Sequence, residues 1–213
     1  MVLNDFIFLL NGLKWTVLLT AIGFVGGIPF GFLIALARSS KHKFLQLLAR
    51  AWIGLFQGTP LLMQLFVVFF GLPLLGLEVA PWIAVGIAFT AHASAYLGDI
   101  WRGGIQAVPL GQSEACHALG FGYASKMGDI VLPQALKLSL PATIGFLVQL
   151  IKGTSLAAIV GFVELSRSGQ MLSNLIYKPL LVFGVVGALY FILCWPMSLY
   201  GSYLERRLTG ATR

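Results

Sequence analysis

Residues 108–141 read VPLGQSEACHALGFGYASKMGDIVLPQALKLSLP, and the reading of the whole chain turns on them. The stretch carries Glu114, Lys126, Asp129 and Lys137, and no apolar run in it approaches the roughly 20 residues that cross a bilayer. Pro109 stands ahead of a short helical pattern over residues 112–119, which Gly120 and Gly122 are placed to end. Ala115, Ala118 and Leu119 share a face at i, i+3, i+4, with Glu114 and His117 to the side. A helix so short, with so small an apolar face, cannot bury itself alone. It suits docking against a partner, or lying on a membrane surface.

On either side the chain is apolar. Apolar residues make up 58% of it and charged ones only 10%, with a mean hydropathy of +0.90. A soluble domain has about 25% charged residues, so the composition specifies a polytopic membrane protein. The net charge of +7 is therefore a topology signal. Nucleic-acid binding would need clustered Lys and Arg interleaved with aromatics on a soluble face, and no such cluster occurs. Cys116 and Cys194 make no disulfide framework, and His42, His92 and His117 lack ligand spacing, so no metal is expected.

Residues 1–14 are mildly amphipathic and read as an interfacial helix. Uncharged or nearly uncharged runs then give five spans, about 15–37, 51–72, 82–101, 138–163 and 180–204, with a polar loop at about 102–137. Gly23, Gly27 and Gly31 form a small-residue face for helix packing. Gly58, Thr59 and Pro60, followed by Gln64, are a helix-breaking cluster inside the second span. With the amino terminus outside, ten basic residues fall inside (Arg38, Lys41, Lys43, Arg50, Arg102, Lys126, Lys137, Arg206, Arg207, Arg213) and three outside (Lys14, Arg167, Lys178). That asymmetry sets the topology as amino terminus out and carboxyl terminus in, with the 102–137 loop in the cytoplasm.

Polar groups at membrane depth are the candidate substrate path, because a solute leaving water must exchange hydration for protein contacts. Lys152 leads, with Thr154 and Ser155 beside it. A lysine at the centre of a helix costs about 2.5–3.5 kcal/mol on insertion, so it is expected to pair with a carbonyl or carboxylate, to line a path, or to meet a partner. Glu164 and Arg167, three apart at the outer end of the fourth span, suit either a surface ion pair or capture of an amino acid's charged groups. Gln64 and His92 fit packing or the path.

The spacing Glu114-Ala115, Gly120, Ile130 and Leu132-Pro133 resembles the cytoplasmic coupling loop of permease subunits of ABC importers, whose signature is Glu-Ala-Ala, then Gly, then Ile-x-Leu-Pro. The flanks resemble the polar amino acid branch, in Arg102-Gly103-Gly104-Ile105, Val108-Pro109-x-Gly111-Gln112, Leu132-Pro133-Gln134-Ala135 and Lys152-x-Thr154-Ser155-Leu156. Gly58-Thr59-Pro60 matches as well, whereas residues 1–50 match only in topology. Cys116 departs from the signature's second Ala, though it too is small and apolar.

The resemblance implies one transmembrane permease domain over residues 1–213, with the type I importer fold: all-α, five spans and a coupling helix. That helix would be formed by Glu114, Ala115, Cys116, Ala118, Leu119 and Gly120. It further implies a dimer of ATP-binding subunits carrying ATP and Mg2+, a second permease, identical or homologous, and a periplasmic or lipid-anchored solute-binding protein. A polar or charged amino acid would be the substrate and the bacterial inner membrane the location. No GxxxxGK[ST] motif occurs, so ATP hydrolysis is expected on a separate subunit and no cofactor in this chain. The competing classes are an intramembrane hydrolase, which needs paired catalytic groups that are missing here, and a passive channel, which has no use for an ATPase-docking loop.

Overall fold

Gly23, Gly27 and Gly31 recur every four residues, and a stripe without side chains lets a second backbone come close. A computed structural model describes residues 2–210; Met1 and residues 211–213, including Arg213 of the inner charge count, lie outside the described residues. In it the stripe on α1 (Leu3–Ser39) receives α4 (Pro81–Ala107). A Cβ added at Gly23 would stand 2.6 Å from the Cβ of Phe89, one at Gly27 2.6 Å from that of Ala93, and one at Gly31 2.9 Å from that of Leu97. Each four-residue step on α1 thus meets a four-residue step on α4 in the same direction. The two helices are parallel, as two spans separated by one returning span must be.

Such contacts set the cost of filling the stripe. Gly27→Val is expected to destabilise the bundle by about 1–3 kcal/mol, because the neighbours it would meet include the backbone of Ala93 and Ser94. Gly71→Ala, where the new methyl meets nothing within 4 Å, is expected to be neutral or slightly stabilising. Thermal melts of the two variants in one detergent check the contrast.

The return span is broken. α2 (Lys43–Gln57) and α3 (Leu61–Leu74) meet at 100°. Pro60 cannot continue α2, and the break frees carbonyls at its end. Gln64, reaching back from α3, donates through Nε2 to the carbonyls of Phe56 (2.8 Å) and Thr59 (3.0 Å), while Thr59 Oγ1 donates to Leu55 O (2.7 Å). These bonds make the bend a defined structure at a depth where unpaired backbone is costly.

After α4 the chain forms α5 (Leu110–Ala118), a single turn α6 (Tyr123–Ser125), a π-helical segment Lys126–Val131 and α7 (Leu132–Gly153). α7 tightens into a 3-10 turn, Thr154–Ala158, before α8 (Leu165–Ile176) and α9 (Pro179–Gly210). α9 runs back along α7: Gly201 approaches Ile144 near one end, while Cys194 and Tyr190 lie with Lys152 near the other. Among the described residues four helices (α1, α4, α7 with its leading turns, and α9) are long and apolar enough to span, and the bent pair, taken as one broken span, makes a fifth.

The first and fourth spans differ from those expected, and α4 runs on to Ala107, past the expected end of the third span near residue 101. The expected interfacial helix over residues 1–14 is not separate within the described residues: α1 is continuous from Leu3 for 37 residues, about 55 Å, longer than the bilayer core. Nothing between Asn11 and Trp15 breaks it, and Gly12 lies tight against Ser168 and Leu165 of α8, with Leu9 fully buried. The second span does break at Gly58-Thr59-Pro60, where the sequence marks it. The fourth is α-helical only to Gly153, where Thr154 and Ser155 turn their hydroxyls back onto the carbonyls of Ile151 and Lys152.

Candidate functional site

Where the second span bends and the fourth tightens, the two irregularities face a common cavity of about 680 Å3. Gln57, Gly58, Thr59 and Pro60 line it from the break; Gln149, Lys152 and Gly153 from the end of α7 and Ser155 from the 3-10 turn; His92 and Tyr96 from α4. Non-helical backbone at membrane depth is tolerated where it lines a cavity, and here both instances do. Lys152 is exposed, lines this cavity and two smaller ones of about 340 and 210 Å3 between α7 and α9, and pairs with no carboxylate among the described residues. Of the roles open to it, an internal ion pair is therefore absent in this conformation.

His92 forms the aromatic wall with Tyr96, at 4.5 Å between ring centroids, and Phe146 stacks behind Tyr96 at 5.2 Å. Its Nδ1 lies 2.9 Å from Gln64 Oε1. The Gln64 amide nitrogen is spent as a donor on the α2 break, so Oε1 accepts and Nδ1 carries the hydrogen. Gln64 itself does not line the cavity. It joins the cavity wall to the bend.

Thr154 is fully buried and holds the start of the 3-10 turn, whereas its neighbour Ser155 opens on the cavity. Glu164 and Arg167 are not brought together as a pair. Glu164 is fully buried as the N-cap of α8. Its Oε1 accepts from Arg167 N (2.8 Å), and its Oε2 from Ser166 N (2.9 Å), Tyr190 Oη (2.9 Å) and Thr16 Oγ1 (3.3 Å). The Arg167 guanidinium instead donates to Gln170 Oε1 at 2.8 Å, on the exposed side. Neither lines the three cavities that Lys152 shares, although Ser166 and Tyr190, which hold Glu164 down, line the one of about 340 Å3 and Tyr190 also that of about 210 Å3.

Four donors on a buried carboxylate make it a positioning group. Glu164→Gln is expected to cost about 1.5–3 kcal/mol of stability by leaving a buried N–H short of its acceptor, with the order of preferred substrates unchanged. Melting curves and a substrate panel on the same preparation check both halves. A changed order with unchanged melting would move Glu164 into the path.

The segment expected to couple is built from α5 and the turns after it. Glu114, Ala115, Ala118 and Leu119 are exposed, whereas Cys116 is buried against the protein, so the residue that departs from the signature lies away from the outward face. α5 closes in a Schellman motif: Phe121 N donates to Cys116 O (2.9 Å) and Gly120 N to His117 O (3.1 Å), with Gly120 at φ 74°. A Cβ there would meet nothing, so the requirement for glycine is conformational. Gly120→Ala is expected to cost the loop about 1–2 kcal/mol, read as faster amide exchange over residues 110–121. Behind α5, Val108, Met127, Val131 and Ala135 form a cluster that also takes in Leu36 of α1 and Ile105 of α4. α5 itself contacts the Lys126–Val131 segment, whose Met127 and Val131 belong to this cluster.

Sequence reading did not single out Gln149, Tyr96, Ser166 or Tyr190 as site residues, and they come from different helices. Two of them carry a signal: Gln149 is three residues before Lys152, and Tyr96 four after His92, each on one helical face.

Residues 27–210 match the family of binding-protein-dependent transport system inner membrane components. The chain is 36% identical over 209 residues to the inner membrane amino-acid ABC transporter permease protein YhdY of Escherichia coli, covering 95% of this chain and 57% of that longer relative. It is 34% identical to the L-cystine transport system permease protein TcyB of Bacillus subtilis, across 93% of this chain and 85% of that one. A crystal structure of an amino acid ABC transporter with histidines superimposes with a TM-score of 0.86 at 33% identity, covering 94% of each chain. The inward-facing MetNI methionine ABC transporter, at 22% identity and a TM-score of 0.79 over 97% of this chain and 99% of that one, shares the fold. The chain belongs to the family of binding-protein-dependent transport system inner membrane components and is a permease subunit of the amino acid ABC transporter type.

Proposed function

We propose that this subunit, paired with a second permease that is identical or related, frames the path of a polar or charged amino acid across the bacterial inner membrane. A periplasmic or lipid-anchored binding protein delivers the substrate. ATP with Mg2+ is bound and hydrolysed on a separate dimer of ATP-binding subunits, whose grooves receive α5. The cavity at the double break carries this reading. It offers an ammonium group on Lys152, hydroxyl and amide groups on Ser155 and Gln149, and an aromatic wall on His92 and Tyr96. That set suits a small zwitterion with a polar side chain, whose carboxylate meets the lysine. Transmission is rigid-body: ATP-driven closure shifts α5, and the cluster behind it moves α1, α4 and α7 together.

Affinity isolation of the tagged chain from its native membrane, with every accompanying subunit identified, tests the assembly. Recovery of an ATP-binding subunit is expected, and the same gel distinguishes one permease from two. Isolation of this chain alone in lipid discs would return the channel reading.

A further inference from the structure

One atom on the wall of the double-break cavity has its hydrogen-bonding sense dictated by the fold. His92 is 6% exposed, and its ring lines the cavity. Its Nδ1 lies 2.9 Å from Gln64 Oε1, while Gln64 Nε2 is shared among Phe56 O, Thr59 O and Thr59 Oγ1 at 2.8, 3.0 and 3.0 Å. Turning that amide over would set its oxygen against two carbonyls and a hydroxyl whose hydrogen is already given to Leu55 O. Nδ1 therefore carries the hydrogen. His92 makes no ion pair among the described residues, and a second proton would place an unpaired buried charge in the cavity that holds Lys152. The ring is neutral, and its Nε2 is an acceptor. Nε2 has no hydrogen-bond partner among the described residues, yet it is not sealed in as Ser168 Oγ is. With Nδ1 turned to the bend, Nε2 opens on the cavity.

Two walls thus present opposite chemistry. Lys152, from α7, can only donate, and His92, from α4, can only accept. An amino acid whose carboxylate meets Lys152 keeps its α-ammonium one carbon away, beside the same lysine. The wall at His92 is left to the side chain. On the reading that this cavity holds the substrate, we infer that His92 Nε2 determines specificity by accepting from an N–H group of the substrate's side chain. The class it takes is an amino acid with an amide, guanidinium, imidazole or ammonium side chain. A side-chain carboxylate has no hydrogen to give, and its lone pairs oppose that of Nε2. Tyr96 against the His92 ring and Phe146 behind Tyr96 hold the imidazole in place, and Gln64 is the positioning residue that fixes its tautomer. The break in the second span thereby selects the substrate through two side chains.

The test uses the permease with whatever subunits accompany it but without a binding protein, so that the preference read is the permease's own. Its melting midpoint is followed against rising L-glutamine, L-arginine, L-histidine, L-glutamate and L-aspartate. One of the first three is expected to reach half its effect at a lower concentration than either acidic amino acid. His92→Asn keeps an amide nitrogen in the place of Nδ1, and with it the bond to Gln64, but has no group at Nε2. It should raise the half-effect concentration of the favoured amino acid about tenfold and leave the acidic ones nearly unchanged. His92→Gln, whose carbonyl reaches the place of Nε2, should recover most of the loss. A wild-type preference for glutamate or aspartate would overturn the inference, as would an unchanged titration in His92→Asn. An equal loss across the panel would assign Nε2 to the α-ammonium shared by every member and overturn the side-chain role. No effect of any amino acid on the wild type would remove the cavity as the substrate site, and this inference with it. An effect lost in Lys152→Met but unaltered in His92→Asn would keep the cavity and sink the role of His92 alone. Melting without amino acid identifies a variant that fails to fold, in which case the wild-type order of glutamine against glutamate still decides.

Discussion

Glu114→Lys is expected to abolish ATP-driven uptake and to strip the ATP-binding subunit from the purified permease while the bundle stays folded. Glu114 is exposed on a helix of nine residues that buries only Cys116 against its own protein. Reversing its charge therefore touches little inside the chain. In a docked complex the same change sets a cation where the partner groove accommodates an anion, and like-charge juxtaposition across an interface costs several kcal/mol. That corresponds to about a hundredfold or more in affinity. The ratio of ATP-binding subunit to permease after affinity isolation reads the loss, and a melting curve of the permease shows whether it is local. Full recovery of the ATPase together with unchanged uptake would mean that α5 is not the docking element. Loss of the melting transition would mean that the change acted on the fold.

How much of this was legible from residues alone depended on whether the signal was local. The glycines at 23, 27 and 31 announce a close helix contact because spacing of four puts them on one face of any helix, whatever the partner. The positive charges place the loops because the rule needs only a count on each side. The bend in the second span was half legible: Gly58-Thr59-Pro60 marks a break, but its 100° angle depends on which carbonyls Gln64 can reach once the chain has turned. Glu164 was misleading for a physical reason. Three residues before Arg167 it looks like one half of an ion pair, yet at the first turn of α8 its carboxylate finds free backbone N–H groups closer than any guanidinium. The continuity of α1 past residue 14 was hidden because its outer portion is held by Leu165 and Ser168, more than 100 residues away in the chain. The cavity itself was least legible, since its wall combines Gln57, Tyr96 and Gln149 from separate helices that no periodicity links.

Lys152→Met is expected to raise the substrate concentration for half-maximal uptake about 30-fold or more, with Lys152→Arg keeping most of the wild-type affinity. Three observations set the size of the effect. Lys152 is the one lysine or arginine lining the cavity among the described residues, no carboxylate among them neutralises it, and it is shared with both smaller cavities toward α9. A cation held unpaired at membrane depth is maintained at a cost, and a carboxylate arriving with the substrate relieves it. Truncating one partner of such a pair costs about 2–5 kcal/mol in binding, which is the factor stated. Methionine preserves the length and the packing of the aliphatic stem, so the loss is of charge and not of volume. The alternative role, a lysine that only steadies the α7–α9 contact, predicts a different pattern. Melting would then fall for Lys152→Met while the half-maximal concentration stayed put and only the maximal rate declined with the folded fraction. Measuring uptake as a function of substrate alongside a melt separates the two, because a path residue moves the first and a scaffold residue the second.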